Sequence, residues 1–229
     1  MDTSHLFQFF SIAHCFRIER RNLTNLGNIE MKFGNAAKPQ LLQLESPKFY
    51  VPIHEDNLFN DIQIIQLERT LDDIDPVLLP LNAKDFYFIE NEELVTVTLR
   101  NEHKQRLPDP NHRHEKCTKI HIKTGKWCLM QFVDTAPNPE EMEEDILFLE
   151  NLPSMPMEEP SQLPMLCTTE YEGIGGESGG PLVQKLPSGK WAVVGIYSGS
   201  ISDASKDFLF SDFVSTASHL HWITSIIFQ

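Results

Sequence analysis

Short apolar runs, several of them alternating with polar positions, dominate the chain, whereas stretches with a helical period are scarce. The runs are rich in β-branched and aromatic residues and are separated by turn-forming residues, a combination typical of strands. Upstream of residue 136, strands are predicted at 47–53, 61–67, 85–89, 93–99, 118–124 and 126–133. Further on, "GGPLVQKL" and "KWAVVGIYSG", joined by "PSG", predict two more strands and a turn. Many short strands of this kind predict an all-β sandwich or barrels.

Two segments break this pattern. Residues 136–165 are acidic and carry six prolines, which is typical of a surface loop, although Glu140 to Leu152 has the spacing of a short helix. The last segment, "STASHLHWITSIIF", begins with Ser and Thr and places Leu220, Ile223 and Ile227 at helical spacing. It predicts a terminal helix that packs on the body of the protein.

The net negative charge of the chain argues against two classes of binding partner. The chain has 229 residues, with 19 Lys and Arg against 33 Asp and Glu, for a formal charge of −14. Nucleic acids and anionic membranes are bound through clustered basic residues, so neither is an expected partner. No apolar run is long enough for a membrane helix, and the first residues show neither the basic start nor the cleavage site of a signal peptide.

The cysteines and histidines do not form a familiar metal motif. Cys15, Cys117, Cys128 and Cys167 lack CxxC spacing, which leaves disulfides or free thiols. The "HRH" run at 112–114 has two potential metal ligands, but histidines of a solvated loop explain it far better. No metal site is therefore predicted.

Ser178 is the most distinctive residue of the sequence. It lies among Gly175, Gly176, Gly179 and Gly180 in "GIGGESGGP". "GESGG" fits G-x-S-x-G, the nucleophile elbow of α/β-hydrolases, which requires a helix after the serine and an acid and a histidine further on. Acid and base candidates do follow: Asp203, Asp207, Asp212, His219 and His221. However, the serine is followed by Pro181 and a strand-like run, which argues against the elbow.

A second serine chemistry has its residues in the order His, Asp, Ser. "SIAHCF" contains His14 directly after an apolar run, and "FNDIQIIQLE" contains Asp61 at the head of a predicted strand. Taken singly, such a histidine is usually a surface or core residue, and such an aspartate usually belongs to a turn. Their joint occurrence with Ser178, in this order, predicts a catalytic triad.

These motifs together resemble those of the chymotrypsin/trypsin family of serine proteases. "SIAHC" is similar to the family's "TAAHC", "NDIQIIQL" to "NDIALLKL", and "GESGGPLV" to "GDSGGPLV". "GKWAVVGIYSG" and "HLHWITSII" resemble the strand and the terminal helix that follow the family's serine, and "MLCTTEYEG" resembles the segment before it. The similarity runs from about residue 9 to the end and is weakest in the middle. Many substitutions resemble those of divergent trypsin-like proteins of nematodes.

The resemblance implies two antiparallel six-stranded β-barrels followed by a C-terminal helix. Residues 1–90 would form the first barrel, 91–214 the second and 215–229 the helix. Only 13 residues precede His14, so the first barrel would lack its initial hairpin and the chain would be an N-terminally truncated form of a secreted protein. Cys15 would then have lost its family partner.

The resemblance also implies the roles of the site residues. Ser178 would be the nucleophile, His14 the base and Asp61 the group that orients the histidine. The N–H groups of Gly176 and Ser178 would form the oxyanion hole, and Ser198 would support the aspartate and line the substrate pocket. No cofactor is implied, and the partners would be a protein or peptide substrate and a protein inhibitor.

Three further positions follow from the same resemblance. Glu172 aligns with the base of the substrate pocket, where it would favour Lys or Arg, although a solvated loop position also explains it. Cys167 matches a family cysteine and pairs best with Cys128, for which Cys117 would compete. Glu177 replaces the family's aspartate, which binds a new terminal amine on activation.

The triad and the family resemblance together predict a serine endopeptidase. The alternative is a catalytically impaired homologue that binds proteins.

Overall fold

The protein is described by a computed structural model, which covers the strands of the chain, the serine segment and the C-terminus. The described residues are 8–11, 29–33, 40–44, 48–52, 61–67, 77–79, 93–101, 113–123, 127–128, 130–131, 165–203, 205 and 207–228. They divide into two compact units. The first comprises Met1–Val77 with His221–Gln229, and the second comprises Leu78–Leu220.

The first unit has two small antiparallel sheets. Its strands are β1 (Gln8–Ser11), β2 (Ile29–Phe33), β3 (Gln40–Leu44), β4 (Lys48–Tyr50) and β5 (Gln63–Gln66). Strand β5 lies between β1 and β4, and β2 pairs with β3. Ile64 and Ile65 are both buried, so the middle of β5 is covered on both faces and does not alternate between core and solvent. The adjacent Ile64 and Ile65 of "DIQIIQL", the run that predicts this strand, therefore both lie in the core.

The second unit is built on one six-stranded antiparallel sheet. Its strands are β6 (Glu93–Asn101), β7 (Arg113–His121), β8 (Met165–Thr168), β9 (Pro181–Lys185), β10 (Trp191–Ser202) and β11 (Phe208–Ser215). They are arranged in the order β7-β6-β9-β10-β11-β8. Strands β9 and β10 are joined by a tight turn in which Leu186 N donates to Lys190 O over 2.8 Å. The strand–turn–strand prediction after Ser178 is thus confirmed.

This sheet is curled like half a barrel, and the chain just after β7 reaches β8. Directly after β7, Lys123 forms a bridge with Cys167 of β8, and Lys123 N donates to Cys167 O over 2.7 Å. A disulfide joins Cys167 to Cys128 at the same place, with 5.7 Å between the Cα atoms. This is the pairing that the family resemblance implies. Cys117, the other described cysteine, is a free and exposed thiol.

The core of the second unit lies on the inner face of the curled sheet. It contains aliphatic side chains from five strands, such as Leu94, Ile120 and Val194, and three rings, Tyr171, Tyr197 and Phe213. The Tyr197 ring contacts Phe213 edge-on at 5.4 Å between centroids. Because burial of this apolar surface is the main driving force of folding, the core fixes the positions of β9, β10 and the segment before Ser178.

The predicted strand at 126–133 is wrong. Trp127, Cys128, Met130 and Gln131 are helical. The pairing of the sheet ends at Lys123, and a short helical segment then turns Cys128 toward Cys167 while the Trp127 ring lies edge-on to Phe210 at 6.0 Å. Burial of Cys128 and the ring contact of Trp127 outweigh the strand propensity of residues 126–133.

The terminal helix is present but starts later than predicted. Helix α1 spans Leu220–Ile227, with Ile223 buried. The preceding residues still belong to the sheet, since Ser215 ends β11 and Thr216 N donates to Val194 O over 3.1 Å. Turn residues follow before the helix begins, because Ser218 Oγ donates to Ser215 O over 2.9 Å.

The described residues are therefore predominantly β, as the sequence predicts. Several predicted features lie outside them: His14, Cys15, the strand at 85–89 and the helix at 140–152. Of the "HRH" run, His112 also lies outside, while Arg113 and His114 belong to β7.

Candidate functional site

Ser178 lies in a glycine-rich loop that leads into β9. We call residues 173–180 the serine loop. Gly176 and Gly179, on either side of the Glu177–Ser178 pair, have φ angles of +92° and +91°. These are left-handed conformations that side chains rarely adopt, so glycine is required for the loop to turn twice within four residues. This explains the glycine density that marks the serine in the sequence.

Backbone hydrogen bonds hold the loop both to itself and to β10. Glu177 N donates to Ile174 O over 3.1 Å, and Gly180 N donates to Glu177 O over 3.0 Å. Gly179 N donates to Tyr197 O over 2.9 Å, while Tyr197 N donates to Gly180 O over 2.8 Å. The residues before and after Ser178 are consequently fixed relative to the sheet.

Three N–H groups of the loop differ from the rest. Within the described part of the chain, those of Gly175, Gly176 and Ser178 have no hydrogen-bond partner. Gly175 and Gly176 are exposed and Ser178 is half-buried, so solvent or a ligand can approach them. Unpaired N–H groups next to a hydroxyl are suited to binding an oxygen that carries negative charge.

The Ser178 hydroxyl donates to the Ser198 carbonyl over 3.2 Å. Strand β10 has a register shift between Tyr197 and Gly199 in its pairing with β11. Ser198 is the extra residue of this bulge, and it is the residue whose carbonyl accepts from the serine. The sequence identifies Ser198 from family resemblance, and the described contact with Ser178 involves its backbone.

Glu177, the residue before the serine, is buried, with 4% of its surface exposed. Its Oε2 atom accepts two hydrogen bonds of 2.7 Å, from the Tyr171 hydroxyl and from Ile174 N. A buried carboxylate is costly unless such donors replace water. The side chain is therefore folded back into the protein and anchors the loop from within.

Tyr171, which donates to Glu177, is also buried and hydrogen-bonded through its backbone. It is 3% exposed, and its carbonyl accepts a 2.6 Å hydrogen bond from Ser211 Oγ. Burial raises the pKa of its hydroxyl above the usual value, and the hydrogen bond to the Glu177 carboxylate raises it further. The hydroxyl therefore remains protonated and donates to Glu177 throughout the neutral range. Sequence reasoning overlooks Tyr171, because a lone tyrosine in an acidic stretch carries no motif.

A second polar cluster supports the start of the loop. Ser200 Oγ lies 2.8 Å from the Tyr197 hydroxyl and 2.6 Å from Ser211 Oγ. It also accepts from Gly173 N over 3.1 Å. The segment before Ser178 is thereby hydrogen-bonded to β10 and β11. Nothing in the sequence indicates this cluster.

The remaining predicted site residues fall in different places. Glu172, the predicted pocket residue, is exposed on the segment before the loop. Asp61 belongs to the first unit, directly before β5, and is 6% exposed. Ser178, Gly176 and Ser198 belong to the second unit. His14 lies outside the described residues.

The segment after Ser178 lacks the helix that a nucleophile elbow requires. Strand β9, not a helix, follows Ser178. Asp203 accepts from Ser205 N and Asp207 N in a local turn. His219 is buried before α1, with Nδ1 3.0 Å from Ser215 O. The nucleophile elbow is therefore excluded.

No family model matches the chain, and no curated protein matches it. Among the described residues, no helix is long and apolar enough to cross a membrane. In the same part of the chain, no group of three or more His, Cys, Asp or Glu side chains is arranged to hold a metal ion.

Proposed function

We propose that the protein is a serine endopeptidase of the chymotrypsin/trypsin type, with Ser178 as its nucleophile. One observation carries this proposal. In the serine loop, the N–H groups of Glu177, Gly179 and Gly180 are hydrogen-bonded within the protein, whereas those of Gly176 and Ser178, like that of Gly175, have no partner within the described residues. A hydroxyl and two N–H groups on one rigid loop are the elements that acyl transfer through a tetrahedral intermediate requires.

The reaction would proceed in two steps. Ser178 Oγ attacks the carbonyl carbon of the peptide bond, and His14 accepts its proton. The carbonyl oxygen becomes an oxyanion, which the N–H groups of Gly176 and Ser178 bind. His14 then gives the proton to the leaving amine, and the acyl chain stays on Ser178 until water releases it. Asp61 holds the histidine in the required tautomer and stabilises its charged form.

We further propose that the two units correspond to the two β-barrels of the family. The curled sheet of the second unit, with the bridge between Lys123 and Cys167, would be the second barrel of the family. The strands β1 to β5 would belong to the first barrel. The two units match the order of the family's halves, since the segment with Asp61 precedes and the segment with Ser178 follows their boundary near Val77.

An extracellular site of action is part of the same proposal. Disulfides persist in oxidising compartments, and the Cys128–Cys167 bridge supports this location. The substrate would be a protein or peptide, with a protein inhibitor as a natural partner. The chemistry assigned to His14, Asp61 and Ser178 needs no metal and no organic cofactor.

Incubation with a mixture of synthetic peptides tests the activity. New peptide termini, detected by mass spectrometry, are expected with the wild-type chain. Ser178→Ala and His14→Ala should each lower the rate of cleavage by about 10⁴-fold or more, because either change removes a member of the catalytic unit. Circular dichroism of each sample checks that the variants are folded.

Absence of cleavage by a folded wild-type chain would contradict the proposal and favour the protein-binding homologue. Equal cleavage by wild type and Ser178→Ala would show that a contaminant or another residue is responsible. Either result would remove Ser178 from the role of nucleophile.

A further inference from the structure

We propose that Tyr171 is a positioning residue for Ser178, which acts through the carboxylate of Glu177. The inference rests on the proposed function and adds a residue to its machinery. Tyr171 has no contact with the reacting atoms in this role. Its hydroxyl, 2.7 Å from Glu177 Oε2, closes a ring through the side chains and the main chain of residues 171–177.

The ring fixes Glu177 at its side chain and its backbone. The carboxylate accepts from the Tyr171 hydroxyl and from Ile174 N, while Glu177 N donates back to Ile174 O over 3.1 Å. Glu177 and Ile174 are thus joined in both directions. Hydrogen bonds to a charged group are stronger than those between neutral groups, so the carboxylate is the central anchor of the loop.

This anchor determines the direction of the Ser178 N–H group. A trans peptide bond is planar, so the Glu177 carbonyl and the Ser178 N–H lie in one plane and point in opposite directions. Gly180 N holds that carbonyl over 3.0 Å. A shift of Glu177 would rotate the plane and turn the Ser178 N–H away from an oxyanion. Small losses of alignment in such donors lower the rate of the chemical step.

Tyr171 is itself packed into the hydrophobic core of the second unit. Its ring lies edge-on to Tyr197 at 5.6 Å and tilted against Phe213 at 6.3 Å. Its carbonyl accepts from Ser211 Oγ in β11. The Tyr171 hydroxyl thus holds the serine loop in a fixed position relative to the core. A short glycine-rich segment is too flexible to keep such a position by itself.

Three variants and a matched control test this role. Tyr171→Phe deletes only the hydroxyl, Glu177→Gln removes the charge of its acceptor, and the double variant removes both. Thr216→Val is the control, because it deletes a buried hydroxyl of the second unit that donates to Val193 O over 2.8 Å and belongs to neither hydrogen-bond cluster of the loop. A fluorophosphonate probe gives two constants for each protein, the maximal rate of inactivation and the probe concentration at half that rate.

We expect Tyr171→Phe to lower the maximal rate about tenfold, with little change in the half-saturating concentration, because one charge-assisted hydrogen bond is lost. Glu177→Gln should lower it at least as much. The double variant should be less impaired than the product of the two single effects, since both changes weaken the same contact. Thr216→Val should stay within about twofold of the wild type. Rates are compared per folded molecule, measured by circular dichroism.

Two results would overturn the inference. One is a wild-type rate in Tyr171→Phe, and the other is an equal fall in Tyr171→Phe and Thr216→Val, which would indicate a general loss of packing. A folded wild type that does not react would instead refute the proposed function. In that case hydrogen exchange of residues 174–180 decides: faster exchange in Tyr171→Phe than in Thr216→Val supports the anchoring of the loop, and equal exchange contradicts it.

Discussion

Gly173 lies so close to the Tyr197 side chain that a Cβ atom at this position would overlap the phenol oxygen and ring. Tyr197 is buried in the aromatic cluster and cannot swing aside without disturbing Tyr171 and Phe213. Gly173→Ala should therefore lower the free energy of unfolding by about 1–3 kcal/mol, as overpacking does in other cores. Urea unfolding followed by circular dichroism measures this change.

Gly175→Ala is the matched control, because a Cβ atom there meets nothing within 4 Å. Its unfolding midpoint should stay close to that of the wild type. Equal effects of the two substitutions would show that the segment before Ser178 does not pack against Tyr197 as described.

His219 makes stability depend on pH. Burial lowers its pKa below the ordinary value, although the hydrogen bond to the Ser215 carbonyl partly opposes this. The unfolded chain therefore takes up a proton near pH 6.5, whereas the folded chain takes it up only at lower pH. Stability from this group is complete above pH 6.5 and is lost as the pH falls toward the folded pKa, with a slope of at most about 1.4 kcal/mol per pH unit.

His219→Gln isolates this contribution from those of the other histidines. Urea unfolding at several pH values between about 7.5 and 5 should show a smaller decline for the variant than for the wild type. Identical declines would mean that His219 titrates in the folded protein as it does in the unfolded chain.

At the scale of residues, the sequence predicts the parts of the loop that depend on local chemistry. The glycines around Ser178 are recognisable because positive φ angles exclude other residues. Tyr171 and Ser200 are not recognisable, because their roles come from hydrogen bonds to Glu177 and Gly173 that only the fold brings into reach. The importance of Glu177 is visible in the sequence, but its partners are not.

At the scale of elements, the disulfide links the helical segment with Cys128 to strand β8. It closes a loop with a sequence separation of 39 residues. In the chain-entropy view, such a crosslink stabilises the folded state by roughly 3–4 kcal/mol through its effect on the unfolded chain. The double variant Cys128→Ser with Cys167→Ser should be less stable by about that amount in urea unfolding.

Cys117→Ser provides the control, since this thiol is free and exposed on β7. Its stability should match that of the wild type, and peptide mapping without reduction should join Cys128 to Cys167. A crosslink between Cys117 and Cys128 would contradict the pairing.

The elements that sequence patterns predict well are those whose local preference and tertiary environment agree. Strand β5 and the β9–β10 hairpin are of this kind, because their apolar runs are buried in sheets. The run at 126–133 has the same composition, but the sheet pairing ends at Lys123 and the chain turns into a helical segment. The start of α1 is shifted for a similar reason, since Thr216 Oγ1 donates to Val193 O over 2.8 Å and keeps this part of the chain on β10.

At the scale of the whole molecule, the all-β class follows from strand-like runs and scarce helical periods. The order of strands in the curled sheet does not follow from them, because β8 pairs with β11 across a long stretch of chain. Non-local pairing of this kind is decided by burial and by the disulfide, neither of which has a local pattern.

The central claim is that Ser178 is an activated nucleophile. Its most direct test is peptide mapping of the folded protein after reaction with a fluorophosphonate probe, with Ser178→Ala and His14→Ala as controls. Our account predicts one adduct per wild-type chain, located on Ser178, and negligible labelling of both variants. A folded wild type that stays unlabelled, or an adduct on another residue, would contradict it.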